Sequence, residues 1–320
     1  MIINLLVVLL GIDWASGYAI ASYVMNHGVS PIAYAFWQAV GPAIVLLIIQ
    51  GSRLQLTKAL FIQRHNFLYA LGCSLFGITI PNILMYFLAQ HVYSEILTII
   101  ANITPLIIYP LALIKQQESF NIKKLILLFI GVTGVLILIT PFNFLTSLLQ
   151  TNYLSNNFIY WSLLIPFCYA YAAIFIAKPN YNKLSIKTSR ITNINLQINY
   201  ALYMLILASI IIIPIGYLTN QIYILKFNDI NSLLMVLEIL LSSIGYVLLF
   251  IIINKVGPVA YSVVSIITAS TGIFYGYFIF NHVVSLVNCS ALILIIIAII
   301  GLSMKITTKP CARSFNIQKN

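Results

Sequence analysis

The stretch LLVVLLGIDWASGYAIASYVM at residues 5–25 is mostly apolar and carries a single charged residue, Asp13, near its middle. At about 1.5 Å of rise per residue, some 20 such residues cross the roughly 30 Å hydrocarbon core of a bilayer. Read that way, Asp13 falls near the bilayer centre, where insertion scales put the cost of an aspartate at about 2.5–3.5 kcal/mol. The rest of the chain has to explain how that cost is met.

Of the 320 residues, 62% are hydrophobic and 7% are charged, against about 25% charged in soluble globular chains. So few charges cannot dress a water-facing surface. The bilayer is therefore the main solvent, and the chain reads as a polytopic helical membrane protein. A net charge of +11 would point a soluble domain toward nucleic acid. Here the basic residues fall in short loops between apolar runs, and no nucleic-acid partner is expected. Cys73, Cys168, Cys289 and Cys311 are scattered, with neither metal-ligand spacing nor a disulfide framework. No metal and no cofactor are expected.

Apolar runs of span length recur ten times, near 2–25, 31–50, 67–89, 92–114, 122–140, 158–178, 196–217, 232–253, 257–280 and 284–304. The AIA at residues 19–21 resembles a signal-peptide cleavage site. The run continues apolar past it and no basic residue precedes it, so it reads as the first span. Loop charges test the count. With the amino terminus inside, 15 of the 16 basic residues lie in inner loops or the tail, leaving only Lys226 outside. Cytoplasmic loops are the Lys/Arg-rich ones, and losing one span would scramble this alternation. The expected site is a bacterial inner membrane, with both termini cytoplasmic.

The two halves repeat weakly. VYSEILTIIANITPLIIYPLALI at 92–114 lies against AYSVVSIITASTGIFYGYFIFNH at 260–282, pairing Tyr93 with Tyr261 and Ser94 with Ser262. Five spans per half is an odd number, so the second half is inverted. The expected fold is thus an all-α membrane protein of ten transmembrane helices in two inverted five-helix repeats, 1–150 and 151–304, followed by a basic cytoplasmic tail at 305–320. Inverted repeats are common in secondary transporters, with the site near the midplane between halves.

Several stretches resemble the ten-helix EamA-type branch of the drug/metabolite transporter superfamily. DWASGYAIASYVMNHGVSPIAYAFWQ (13–38) is similar to that family's first two spans, with Gly-x-Ser-Pro entering the second. LMYFLAQHVYSEILTIIANITPL (84–106) resembles its span three to span four passage, with Pro105 mid-span. QQESFNIKKLILLFIGVTGVLIL (116–138) resembles its Glu-then-Gly-x-x-Gly run at Glu118, Gly131 and Gly134. GYVLLFIIINKVGPVAYSVVS (245–265) is similar to its span eight to nine turn. The chain departs from the pattern in three places. Gln38 stands where many members carry Arg, the proline expected within span nine is absent, and Asn281-His282 replaces a terminal Glu. The resemblance implies carrier-type transport of a small metabolite without ATP hydrolysis.

Three of the five acidic residues lie within spans, namely Asp13, Glu95 and Glu238, and no Lys or Arg lies deep in any span. A lone carboxylate in low dielectric is neutral, faces water or awaits a cation. Asp13 is therefore a candidate proton-coupling site or an anchor for a positively charged group, set against the plainer reading of a protonated, hydrogen-bonded structural residue. Glu95, Thr98, Asn102, Pro105 and Tyr109 recur at helical spacing, giving span four a polar face that must be sheltered by protein or water. Tyr261, Ser265, Thr268, Gly272 and Tyr275 form a milder stripe in span nine, as small-residue helix packing would. Glu238, Ser242 and Gly245 share a face of span eight. Trp14, Tyr18 and Trp37 are candidates to stack on a flat or cationic ligand, with an interfacial anchor or lipid contact favoured for Trp37. Gln38 and Asn82 are intramembrane amides, equally suited to helix–helix hydrogen bonds. His27, His65, His91 and His282 lie at loop edges and read as solvated.

These residues favour a secondary transporter of an amino acid, a nucleoside-like metabolite or another amine-bearing solute. Its candidate coupling ion is a proton or sodium, and a homodimer is a candidate assembly. A lipid-modifying enzyme would need a nucleophile, a base or metal ligands grouped near one interface, and none is grouped in the sequence. A non-transporting partner subunit would leave the polar spans without a purpose. The topology has a direct test: single cysteines placed at Ser189 and Asn152 should label from the cytoplasmic and outer faces respectively. Labelling of Ser189 from outside, or of Asn152 only from inside, would overturn the ten-span arrangement.

Overall fold

The structure is a computed structural model that describes residues 2–51, 64–88, 104–117, 120–139, 161–177, 193–226, 228–280 and 286–303. Helices α1 (Ile2–Asn26), α2 (Pro31–Gln50) and α3 (Arg64–Ser74) come first; a π-helical turn, Leu75–Thr79, joins α3 to α4 (Ile80–Leu88). Then follow α5 (Thr104–Ile114), α6 (Ile122–Ile139), α7 (Leu164–Ile176), α8 (Asn193–Leu218) and α9 (Ile230–Val256). A short α10 (Pro258–Tyr261), α11 (Val263–Phe280) and α12 (Leu286–Ser303) complete the set. Among the described residues, five helical stretches are long and apolar enough to cross a membrane by length and composition.

Local chemistry sets the helix ends. Ser30 holds an extended conformation and its hydroxyl accepts the Ala33 N–H at 3.2 Å, with Pro31 pre-set at the first helical position of α2. Asp229 does the same for α9, accepting from Asn231 N–H at 3.3 Å. The Tyr223 hydroxyl also donates to Asp229 and holds that carboxyl below the usual range. Gly257, at φ 85, lets the chain turn out of α9 directly into Pro258. Asn121 opens α6 by accepting the Lys123 N–H at 2.9 Å, and its own N–H donates to the Tyr109 hydroxyl at 2.6 Å.

Helix α1 packs between α9 and α11, and α2 packs between α8 and α9. The α3–α4 stretch packs against α7 and α8, α5 against α7, and α6 against α12. Small residues allow these approaches. A β-carbon on Gly134 would sit 3.0 Å from the Ala291 carbonyl oxygen of α12, and one on Gly11 would sit 3.3 Å from that of Val264 in α11. Leu5, Leu9, Ile48, Leu240 and Ile244 point outward and are exposed, as expected where lipid is the solvent. Buried hydroxyls turn back on their own helices, Ser209 to the Leu205 carbonyl at 2.8 Å and Ser243 to that of Ile239 at 2.6 Å.

The α1–α9 contact is built differently. A β-carbon on Gly17 of α1 would lie 2.7 Å from Glu238 Oε1, and one on Gly245 of α9 would collide with Asp13 Oδ2. Each helix therefore seats the other's carboxyl over a glycine. Gly245→Ala should cost about 1–3 kcal/mol as an overpacked contact and lower the melting temperature of the purified protein. Asp13→Ala in the same chain should recover part of that loss by clearing the space. Strictly additive effects in the double variant would show that the two groups do not meet.

Candidate functional site

Glu238 lies within α9 and is only 3% exposed. Its Oε1 accepts two hydrogen bonds, from Gln38 Nε2 at 3.0 Å and from the Ser242 hydroxyl, one turn along α9, at 2.7 Å. Its Oε2 is buried without a hydrogen-bond partner, and so is Asp13 Oδ2 across the α1–α9 contact. Among the described residues every lysine and arginine stands at a helix end or in a loop: Arg64, Lys115, Lys123, Lys124, Lys226 and Lys255. The two carboxyls face each other's helices with no cation between them.

The hydrogen bonds to Glu238 continue across the bundle in one direction. Asn82 Nδ2 of α4 donates to Gln38 Oε1 at 3.3 Å, and the Tyr169 hydroxyl of α7 donates to Asn82 Oδ1 at 3.3 Å. The Tyr246 hydroxyl also lies within hydrogen-bonding reach of Asn82. Every donor in the series Tyr169, Asn82, Gln38 points toward the carboxyl, so the chain is polarised to favour negative charge on Oε1. Four helices, α7, α4, α2 and α9, contribute to it.

Aromatic side chains stand beside this network. Trp14 meets Tyr246 edge to face, with ring centroids 5.3 Å apart at 74°, and lies within hydrogen-bonding reach of the Tyr261 hydroxyl. Tyr18, one turn further along α1 on the same face, is 49% exposed, yet its hydroxyl is held by Tyr169 of α7. Between α2 and α9 a narrow cleft bounded by Trp37, Gln38, Met235 and Glu238 reaches the same carboxyl but has no room for a water molecule. The combination of tyrosines, one buried carboxyl and oriented amides suits a ligand that carries a cationic N–H group. Among the described residues no group of three His, Cys, Asp or Glu is placed to hold a metal ion.

The candidates from the sequence are thus partly gathered. Asp13, Tyr18, Gln38, Glu238 and Ser242 come together. Thr268 uses its hydroxyl on the Val264 carbonyl of its own helix at 2.9 Å, and Ser265 is half-buried in the same helix. Tyr275, from the same stripe, bonds Ser16 of α1 at 2.8 Å. Glu95, Thr98 and Asn102 lie outside the described residues. Trp37 Nε1 donates to the Tyr223 carbonyl at 2.8 Å and ties α2 to the segment before α9. Tyr109 serves the start of α6 through Asn121 rather than the network. Sequence reading missed Tyr169, Tyr246 and the Gly17 seat. It also missed Tyr34, whose buried hydroxyl donates to the Gly17 carbonyl at 2.8 Å. Their only signal was a polar or small residue in an apolar helix.

Comparison with known proteins bears on both halves. Residues 1–140 match the model of the EamA-like transporter family. No curated protein matches the chain in sequence. A solved structure described as "Crystal structure of protein" superposes with a TM-score of 0.72 at 12% identity, covering 96% of this chain and 98% of that one. At that identity the likeness shows the fold alone, and it runs through the second half as well as the first. Residues 1–140 thus carry an EamA-like transporter family domain, of the drug/metabolite transporter superfamily, within a multi-pass membrane protein.

Proposed function

We propose that the protein carries an amine-bearing small metabolite, such as an amino acid or a nucleoside-like solute, across the bacterial inner membrane by alternating access. The observation that carries this reading is Glu238 Oε2, buried and unpartnered among Tyr34, Trp37 and Gln38, with no lysine or arginine of the described residues nearby. An uncompensated carboxyl in lipid is stable only if it is protonated or meets a cation. A transporter that admits an ammonium group supplies that cation for part of its cycle. Asp13, seated one helical turn from Gly17 on the same α1 surface, is the candidate site for the coupling ion, a proton or sodium.

Helix pairing supports two inverted five-helix repeats, 1–150 and 151–304. The packing of α1 on α9 and α11 has its counterpart in the packing of α7 on α3–α4 and α5. The pairs α2–α8 and α6–α12 each join equivalent spans of the two halves. The 15-to-1 split of basic residues supports cytoplasmic termini. Rocking of one repeat against the other would then open the site to each side in turn.

Uptake into proteoliposomes tests the reading. Asp13→Asn should still exchange substrate at equal concentrations and lose accumulation driven by a proton gradient. Glu238→Gln should weaken binding of an amine solute by about tenfold or more, the scale of one charge-assisted hydrogen bond. Accumulation by Asp13→Asn equal to the parent's would make Asp13 structural, and undiminished amine binding by Glu238→Gln would remove the cationic substrate.

A further inference from the structure

We infer that Gln38 sets the charge preference of the site: by giving Glu238 a neutral donor instead of a cation, it leaves the carboxyl's charge for an ammonium group on the ligand. This inference rests on the cationic-substrate reading above and goes on to say which residue maintains it. Gln38 Nε2 occupies Oε1 at 3.0 Å, and Ser242 occupies the same oxygen at 2.7 Å. Both donors are uncharged, so they orient the carboxyl without cancelling it. The other oxygen, Oε2, stays buried and unpartnered.

The amide also has to be held. Gln38 Oε1 accepts from Asn82 Nδ2 at 3.3 Å, and Asn82 accepts from Tyr169 at 3.3 Å. These bonds fix which end of the Gln38 amide faces Glu238. A rotated amide would set carbonyl oxygen against carboxyl oxygen, which the acceptor-only partner disfavours. Asn82 and Tyr169 are thus positioning residues for Gln38, and Gln38 is one for Glu238. A guanidinium at position 38 lies within the same reach and would form a permanent ion pair, closing the site to any external cation.

The test uses the purified full-length protein, with 2-phenylethylammonium chloride as the probe and binding read by thermal shift. Gln38→Arg should weaken probe binding at least about tenfold more than Gln38→Met, one charge-assisted hydrogen bond being worth that much. Without probe, Gln38→Arg should melt no lower than Gln38→Met, because the new cation pairs with Glu238. Gln38→Lys carries the same charge and replaces the arginine variant if that one does not fold. A purely structural role would not sort the variants by charge, so equal binding by Gln38→Arg and Gln38→Met overturns the inference. An equal shift from sodium chloride at the same concentration overturns the assignment of an ammonium group. Glu238→Gln separates the two levels. If it retains probe binding, the cationic-substrate reading itself falls. If it loses binding while the Gln38 variants bind alike, only the role of Gln38 falls.

Discussion

A carboxyl inside a bilayer has no water to share its charge, and that constraint shapes the contact between α1 and α9. Asp13 and Glu238 can be buried there because the facing positions are Gly245 and Gly17. Any side chain at either glycine would occupy the volume the carboxyl needs. Close approach of the two helices also brings Tyr34 to the Gly17 carbonyl and carries α2 against both. The core of the bundle is thus fitted around two groups that lipid would reject.

Most other polar groups nearby are dealt with locally. Ser209, Ser243, Thr268 and Ser270 each donate to a carbonyl one turn back on their own helix. Such bonds satisfy a hydroxyl without linking helices. The links between helices run mainly through amides and tyrosines, in the series from Tyr169 to Glu238. The series that reaches Glu238 therefore passes through few side chains, with Tyr169, Asn82 and Gln38 each donating to the next.

Much of this was legible in the sequence. Composition and run length indicated a helical membrane protein, and the lone acidic residues marked Asp13 and Glu238 because no basic residue shares their depth. The face of span eight carrying Glu238, Ser242 and Gly245 followed from helical spacing; in the structure Ser242 donates to Glu238, while Gly245 faces Asp13. The pairing of Gln38 with Asn82 was not legible. Periodicity gives the face of a helix but not which face of another helix it meets, and 44 residues separate the two amides. The partner of Trp37 was not legible for a related reason. Its indole resembles an interfacial anchor, and only the path of the segment around Tyr223 offers it a carbonyl. Helical spacing in the sequence grouped Tyr109 with Asn102, yet the turn into α6 claims the Tyr109 hydroxyl.

The π-helical turn at Leu75–Thr79 has a consequence for Asn82. There the Ile80 N–H reaches back to the Leu75 carbonyl, five residues away, so the stretch holds one residue more than regular pitch allows. Each residue of an α-helix advances the side-chain direction by about 100°. The extra residue therefore sets the phase of α4 independently of α3, which stays packed on α8. Two related chains differing by a single residue in this turn would superpose helix for helix while presenting different side chains to position 38. Chemical identity at the site can change through a gap in the alignment, with every residue of the network itself unaltered.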